Sequence, residues 1–106
     1  MDNNFVKAFR MQLKPGFETE YQKRHDEIWP ELSELLINAG IKEYYIFLDP
    51  VSLALFAFQK LGEGETTSTL SGLPIMKKWW DHMADIMEVN EDNSPKAISC
   101  REVFRL

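Results

Sequence analysis

Three ring side chains, Tyr21, His25 and Trp29, stand at i, i+4 and i+8 of a stretch with helical spacing, which lines them up close to one face. A histidine is the side chain whose ordinary pKa lets it give and take protons near neutral pH, and a tyrosine hydroxyl one turn away can hydrogen-bond a substrate oxygen. Flanking aromatics add a flat apolar wall. Spacing alone favours His25 as a partly exposed helix residue without a task. What tilts it towards chemistry is the run His25-Asp26-Glu27-Ile28-Trp29-Pro30, where the proline removes a backbone donor and disfavours helical geometry at Trp29. Such a break aims side chains away from the helix face.

Trp79 and Trp80 form a second candidate. Neighbours on a helix point about 100° apart, so both cannot be equally buried in one stripe. The spacing puts Trp80 in the core and Trp79 at the rim, where an indole offers a flat face for stacking and an N–H for one polar contact, as sugar sites require. Simple packing of both is the competing reading. His82, on the polar flank beside Asp85, reads as a member of a surface pair. Cys100 is the only cysteine, so neither an internal disulfide nor a thiolate cluster is possible. It reads as packed in a strand, since no neighbouring His or helix N-terminus would lower its pKa.

A metal site would need His25, His82 and carboxylates such as Asp26 or Asp85 to converge, and no H-E-x-x-H or comparable ligand spacing is present. No metal is expected. Gly62-Glu63-Gly64-Glu65 lacks the P-loop lysine, and its glutamates would repel phosphate, so no nucleotide cofactor is expected either.

The elements that must position these residues follow from periodicity. Phe5 to Leu13 alternates as a strand, with Phe5, Lys7, Phe9, Met11 and Leu13 on one side. From Phe17 the spacing turns helical through Tyr21, His25 or Ile28, Leu32, Leu35 or Leu36, and Ala39, with Gly40 as the stop. Ile41 to Leu48 and Leu53 to Gln59 read as a hairpin around Asp49-Pro50-Val51-Ser52. Tyr44, Ile46 and Leu48 share one of its faces, and Ile41, Tyr45 and Phe47 the other, so neither face suits bulk water. Gly62 to Gly72 is a loop or weak helix, and Pro74 opens an amphipathic helix over Ile75 to Met87 with Met76, Trp80, Met83 and Met87 on its core stripe. Asn90 to Pro95 is a surface loop, and Ile98 to Leu106 alternates as a last strand.

The order β-α-β-β-α-β predicts a ferredoxin-like α+β sandwich, an antiparallel sheet with two helices on one face. Its other apolar face calls for a second copy of the sheet, hence a homodimer. With 106 residues, 44% of them apolar, the chain fits a single domain over residues 1–106. Such a chain buries only about two-thirds of its unfolded surface, so burying more in an oligomer would help. Seventeen acidic against 12 basic residues give a net charge of −5 without a long run of one sign, which disfavours nucleic acid and anionic membranes as partners. The N-terminus, Met1-Asp2-Asn3-Asn4-Phe5, has no basic region leading into an apolar stretch, and no window approaches a membrane span, so a cytoplasmic location is expected.

Taken together, Tyr21-Gln22-Lys23-Arg24-His25, Ile28-Trp29-Pro30-Glu31-Leu32, Tyr44 to Asp49, Trp79-Trp80 and Asp92-Asn93-Ser94-Pro95 resemble the L-rhamnose mutarotase family, over about Phe5 to Phe104. The resemblance implies a cytoplasmic homodimer of the dimeric α+β barrel type that interconverts the α and β anomers of L-rhamnose without metal or cofactor. It implies His25 as proton donor and Tyr21, Tyr44, Trp79 and Trp80 as sugar-binding residues, the last against the core position that spacing gives Trp80. A deoxy sugar also suits these residue types, because its methyl group and C–H faces favour aromatic walls, of which Trp29 would form part, while its hydroxyls need partners. The chain departs from the family pattern between Gly62 and Pro74 and in the bulky Tyr45 after Tyr44. Two other functions fit the same architecture: a small oxygenase or haem-degrading enzyme with a His on iron, and a ligand-binding or dimerisation module without turnover.

Overall fold

The computed structural model describes residues 5–106, so the reading of the first four residues as carrying no leader lies outside it. Its elements run β1 (Phe5–Gln12), α1 (Glu18–Asp26), α2 (Pro30–Asn38), β2 (Ile41–Leu48), β3 (Ala54–Leu61), a 3-10 helix over Thr67–Gly72, α3 (Pro74–Met83) and β4 (Ile98–Cys100). The sheet order is β2-β3-β1-β4, antiparallel throughout. This is the predicted ferredoxin-like α+β sandwich. Alternate residues of the strands face the helices, and Met11, Leu13, Leu55 and Ala57 pack there with Tyr21, Leu32, Trp79, Met83, Ile86 and Met87.

The proline break falls where the sequence puts it. Pro30 opens α2 and Trp29 before it is extended, with ψ 128°, so α1 ends at Asp26 and the chain changes direction over Glu27 to Trp29. At the far end of α2, Gly40 has φ 101°, and a Cβ there would meet Glu65, whose Cα stands 2.8 Å away. Only glycine suits both demands.

Five expectations are corrected. Ile41 shares the helix-facing side with Tyr44 rather than the outer side with Tyr45, because the ladder slips between Ile41 and Glu43: Ile41 pairs with Leu61 and Tyr44 with Gln59. The extra residue of that bulge reverses the alternation. Helix α3 stops at Met83, short of Met87, because the following residues join the sheet edge. Met87 bridges to Leu13, and Lys14 N–H donates to the Ile86 carbonyl at 3.0 Å. The buried stripe also differs in part: Met83 and Met87 are buried as expected, but Trp79 and, beyond the helix, Ile86 join them, while Met76 and Trp80 only flank the core. Finally, β4 spans only Ile98–Cys100, beside Ala8 to Arg10 of β1. Residues 101–106 have no ladder partner and nothing against which to bury Val103, Phe104 and Leu106, and Cys100 is exposed rather than packed.

Candidate active site

Between α1, α3 and the helix-facing side of the sheet lies an open cleft of about 1120 Å³, and Tyr21, His25, Tyr44, Trp79 and Trp80 all line it. Helix α1 contributes Tyr21 and His25 one turn apart, their rings 4.3 Å between centroids. Helix α3 contributes the indoles, and β2 contributes Tyr44. Trp79, 8% exposed, is the buried tryptophan and Trp80 the half-buried one, the reverse of the positions that spacing alone gives. The reason is tertiary. Trp79 is clasped edge-on by His25 at 5.5 Å and by Trp29 at 5.1 Å, which turns this face of α3 towards α1. Trp29 is thereby a buttress behind the indole rather than the cleft wall itself.

His25 is half-buried, and its Nδ1 lies 3.1 Å from the Tyr21 carbonyl oxygen. A carbonyl can only accept, so Nδ1 carries the proton in that contact and Nε2 is left for another partner. Burial lowers the pKa of the ring below 6.5, partly offset by the hydrogen bond to Tyr21 and by the charge of Asp26. At neutral pH His25 is therefore a neutral imidazole with Nε2 free to take a proton.

The two tyrosines are held in the opposite sense. Desolvation pushes the Tyr21 phenol well above its ordinary value, reinforced by the nearby Tyr44, and desolvation also raises Tyr44, offset by the Gln59 side chain. Both hydroxyls keep their protons across the physiological range and can donate to a ligand oxygen. Tyr44 is 37% exposed overall, yet its hydroxyl end is the desolvated one.

In the sequence Arg24 is only one member of a motif, and the structure gives it a role. Its guanidinium donates to Glu20 at 2.7 Å, to Asp85 at 2.8 and 3.3 Å, and to the His82 carbonyl at 2.7 Å. It ties α1 to the end of α3 and satisfies a carbonyl that the helix terminus leaves without an intrahelical partner. Asp85 thus pairs with Arg24 and not with His82, whose ring instead lies against Trp29 and Trp79, each at 5.5 Å. Partners 61 residues apart give no local signal for this brace.

The Asp92-Asn93-Ser94-Pro95 loop is shaped by its own side chains. Asp92 accepts from the Ser94 N–H at 3.0 Å, and Asn93, at φ 68°, donates to Asp81 of α3 at 3.0 Å. Ser94 and Pro95 are thereby brought to the cleft. A polar residue of β3, Gln59, completes the floor beside Tyr44 and was read from sequence only as a strand end. Its position opposite an inward-facing tyrosine depends on the bulge in β2.

Comparison with known proteins gives a consistent result. The family model described as L-rhamnose mutarotase matches residues 7–106. An L-rhamnose mutarotase of Flavobacterium johnsoniae is 57% identical over 106 residues, covering 100% of this chain and 99% of that protein. One of Bacteroides thetaiotaomicron is 55% identical over 100 residues, 93% of this chain and 95% of that one. Among solved structures, an L-rhamnose mutarotase from Formosa agariphila superposes with a TM-score of 0.88 at 48% identity, covering 96% of this chain and 98% of the other. A putative antibiotic biosynthesis monooxygenase from a Bacteroides species reaches a TM-score of 0.57 at 17% identity, with coverage of 96% and 91%, a likeness of fold alone.

Proposed function

The chain belongs to the L-rhamnose mutarotase family, and from that premise we propose that its cleft interconverts the α and β anomers of L-rhamnose with His25 as the proton-transferring residue. The activity is that of a carbohydrate isomerase serving rhamnose catabolism. The observation that carries the assignment of His25 is its Nδ1 contact with the Tyr21 carbonyl, which leaves Nε2 free in a cleft walled by Tyr21 and Trp79.

Mutarotation requires the C1–O5 bond of the ring to break, the aldehyde to turn about C1–C2, and the ring to close on its other face. Neutral His25 takes the proton of the anomeric hydroxyl on Nε2. The resulting imidazolium then gives that proton to O5 as the C1–O5 bond cleaves and C1=O forms. After rotation the steps run backwards: Nε2 takes the proton of the C5 hydroxyl, O5 attacks C1, and the imidazolium protonates the carbonyl oxygen. No proton is gained or lost over the cycle. The lowered pKa of His25 fits both halves, since the neutral ring is the resting form and the charged ring a stronger acid than a free imidazolium. Tyr21 and Tyr44 are proposed to donate to sugar hydroxyls, and Trp79 and Trp80 to present flat faces to its C–H groups.

A second copy of the chain is proposed on the outer face of the sheet, where Tyr45, Phe47 and Phe58 lie exposed. Apolar rings grouped in this way on one side of a sheet support an interface between copies.

The test is proton NMR magnetisation transfer between the anomers of L-rhamnose, with L-fucose and L-lyxose alongside. Accelerated exchange for L-rhamnose supports the proposal. Acceleration of another sugar alone reassigns the substrate, and no acceleration of any of them overturns the reading.

A further inference from the structure

Among the described residues one polar side chain is buried, and it is Gln59, 8% exposed. The helix-facing row of β3 otherwise reads Leu55, Ala57 and Leu61, each at most 1% exposed. An amide in such a row costs stability unless its donors and acceptor find partners. Gln59 stands in register between Lys7 of β1 and Tyr44 of β2 and lines the cleft. The Tyr44 hydroxyl is near its carboxamide, and that neighbour partly offsets the effect of desolvation on the phenol. No fully buried side-chain polar atom of the described residues lacks a partner, so the unpaired part of the amide is open to the cleft that Gln59 lines.

We infer that Gln59 is a specificity-determining residue whose carboxamide hydrogen-bonds a ring hydroxyl of the sugar from the sheet side of the cleft, opposite the helix-borne His25. This rests on the anomer-exchange reading and goes beyond it by assigning polar recognition to the sheet. A carboxamide both donates and accepts, which matches a hydroxyl or a vicinal pair of hydroxyls. A buried polar group left unpaired by a ligand also rejects that ligand more strongly than an apolar wall does.

The experiment compares anomer exchange of L-rhamnose with that of its 2-, 3- and 4-monodeoxy analogues in the wild-type enzyme and in Gln59→Leu. The wild type should prefer L-rhamnose over one of the analogues by about fivefold or more in kcat/KM, the scale of one hydrogen bond, and Gln59→Leu should lose that preference while keeping the others. Should the leucine variant fold poorly by circular dichroism, Gln59→Met serves in its place. Unchanged preferences against all three analogues would overturn the inference. A wild type that fails to accelerate L-rhamnose exchange would instead overturn the function reading itself.

Discussion

Tyr44 and Tyr45 are neighbours with the same side chain, on opposite faces of one strand, and their surroundings differ almost completely. Tyr44 points its hydroxyl towards Gln59 and Tyr21 in the cleft, where desolvation raises its pKa. Tyr45 is 52% exposed and donates to the Glu43 carboxylate at 2.8 Å, and that hydrogen bond, followed by the carboxylate's charge, raises its pKa. The contrast extends over the sheet. Its inner face combines an apolar floor with a few polar groups aimed at a shared volume, as a small-molecule site requires. Its outer face carries Phe47 and Phe58 stacked edge-on at 5.8 Å, with the Lys60–Glu43 pair beside them, a pattern suited to another protein surface. Strand alternation lets eight-residue strands serve both purposes at once.

The comparison can be broken most severely at the inner face. His25→Ala should lower the anomer exchange rate by about 100-fold or more, the range for losing a general acid–base group, with an unchanged circular dichroism spectrum. At the outer face, Phe47→Asp should weaken association of two copies by about 30-fold or more, since it places an unpaired charge in an apolar contact. Analytical ultracentrifugation across micromolar concentrations reads this directly, and a wild type that sediments as a monomer would remove the proposed interface.

The pH dependence follows from His25. Its pKa lies below 6.5, and the neutral ring begins the cycle, so kcat/KM should be flat through neutral pH and decline below that pKa. At one unit under the pKa the neutral fraction, and with it the rate, is down by about tenfold. A rate that instead rises on acidification would mean that the imidazolium is the resting catalyst. The smallest effect sharpens the contrast between neighbours. Tyr44→Phe should raise KM for L-rhamnose about fivefold, the worth of one hydrogen bond, whereas Tyr45→Phe should leave it unchanged. Equal effects on the two would mean that the outer hydroxyl also reaches substrate.

Much of this was legible in the residues. The alternation of β1, the hairpin of β2 and β3, the stop at Gly40 and the break at Pro30 are local consequences of side-chain pattern and backbone sterics, and the structure reproduces them. The pairing of Tyr21 with His25 was legible for the same reason, because residues four apart on a helix are neighbours whatever else the chain does. Helix α3 shows where such reasoning stops. Its spacing points Trp80 inward, yet Trp79 is the buried one, because periodicity is a weak means of ranking two large apolar neighbours. The choice is made by the rings of His25 and Trp29 across the helix pair.

What the sequence determined by itself was thus the elements, their order and one line of chemistry along α1, since each depends on contacts within a few residues. Only the tertiary structure decided which indole is buried, where the bulge in β2 turns Ile41 inward, and that Arg24 joins Asp85. It also placed a lone amide on the cleft floor. These outcomes depend on partners brought together by packing and strand register, and a one-residue slip in either exchanges the inner and outer sets of side chains.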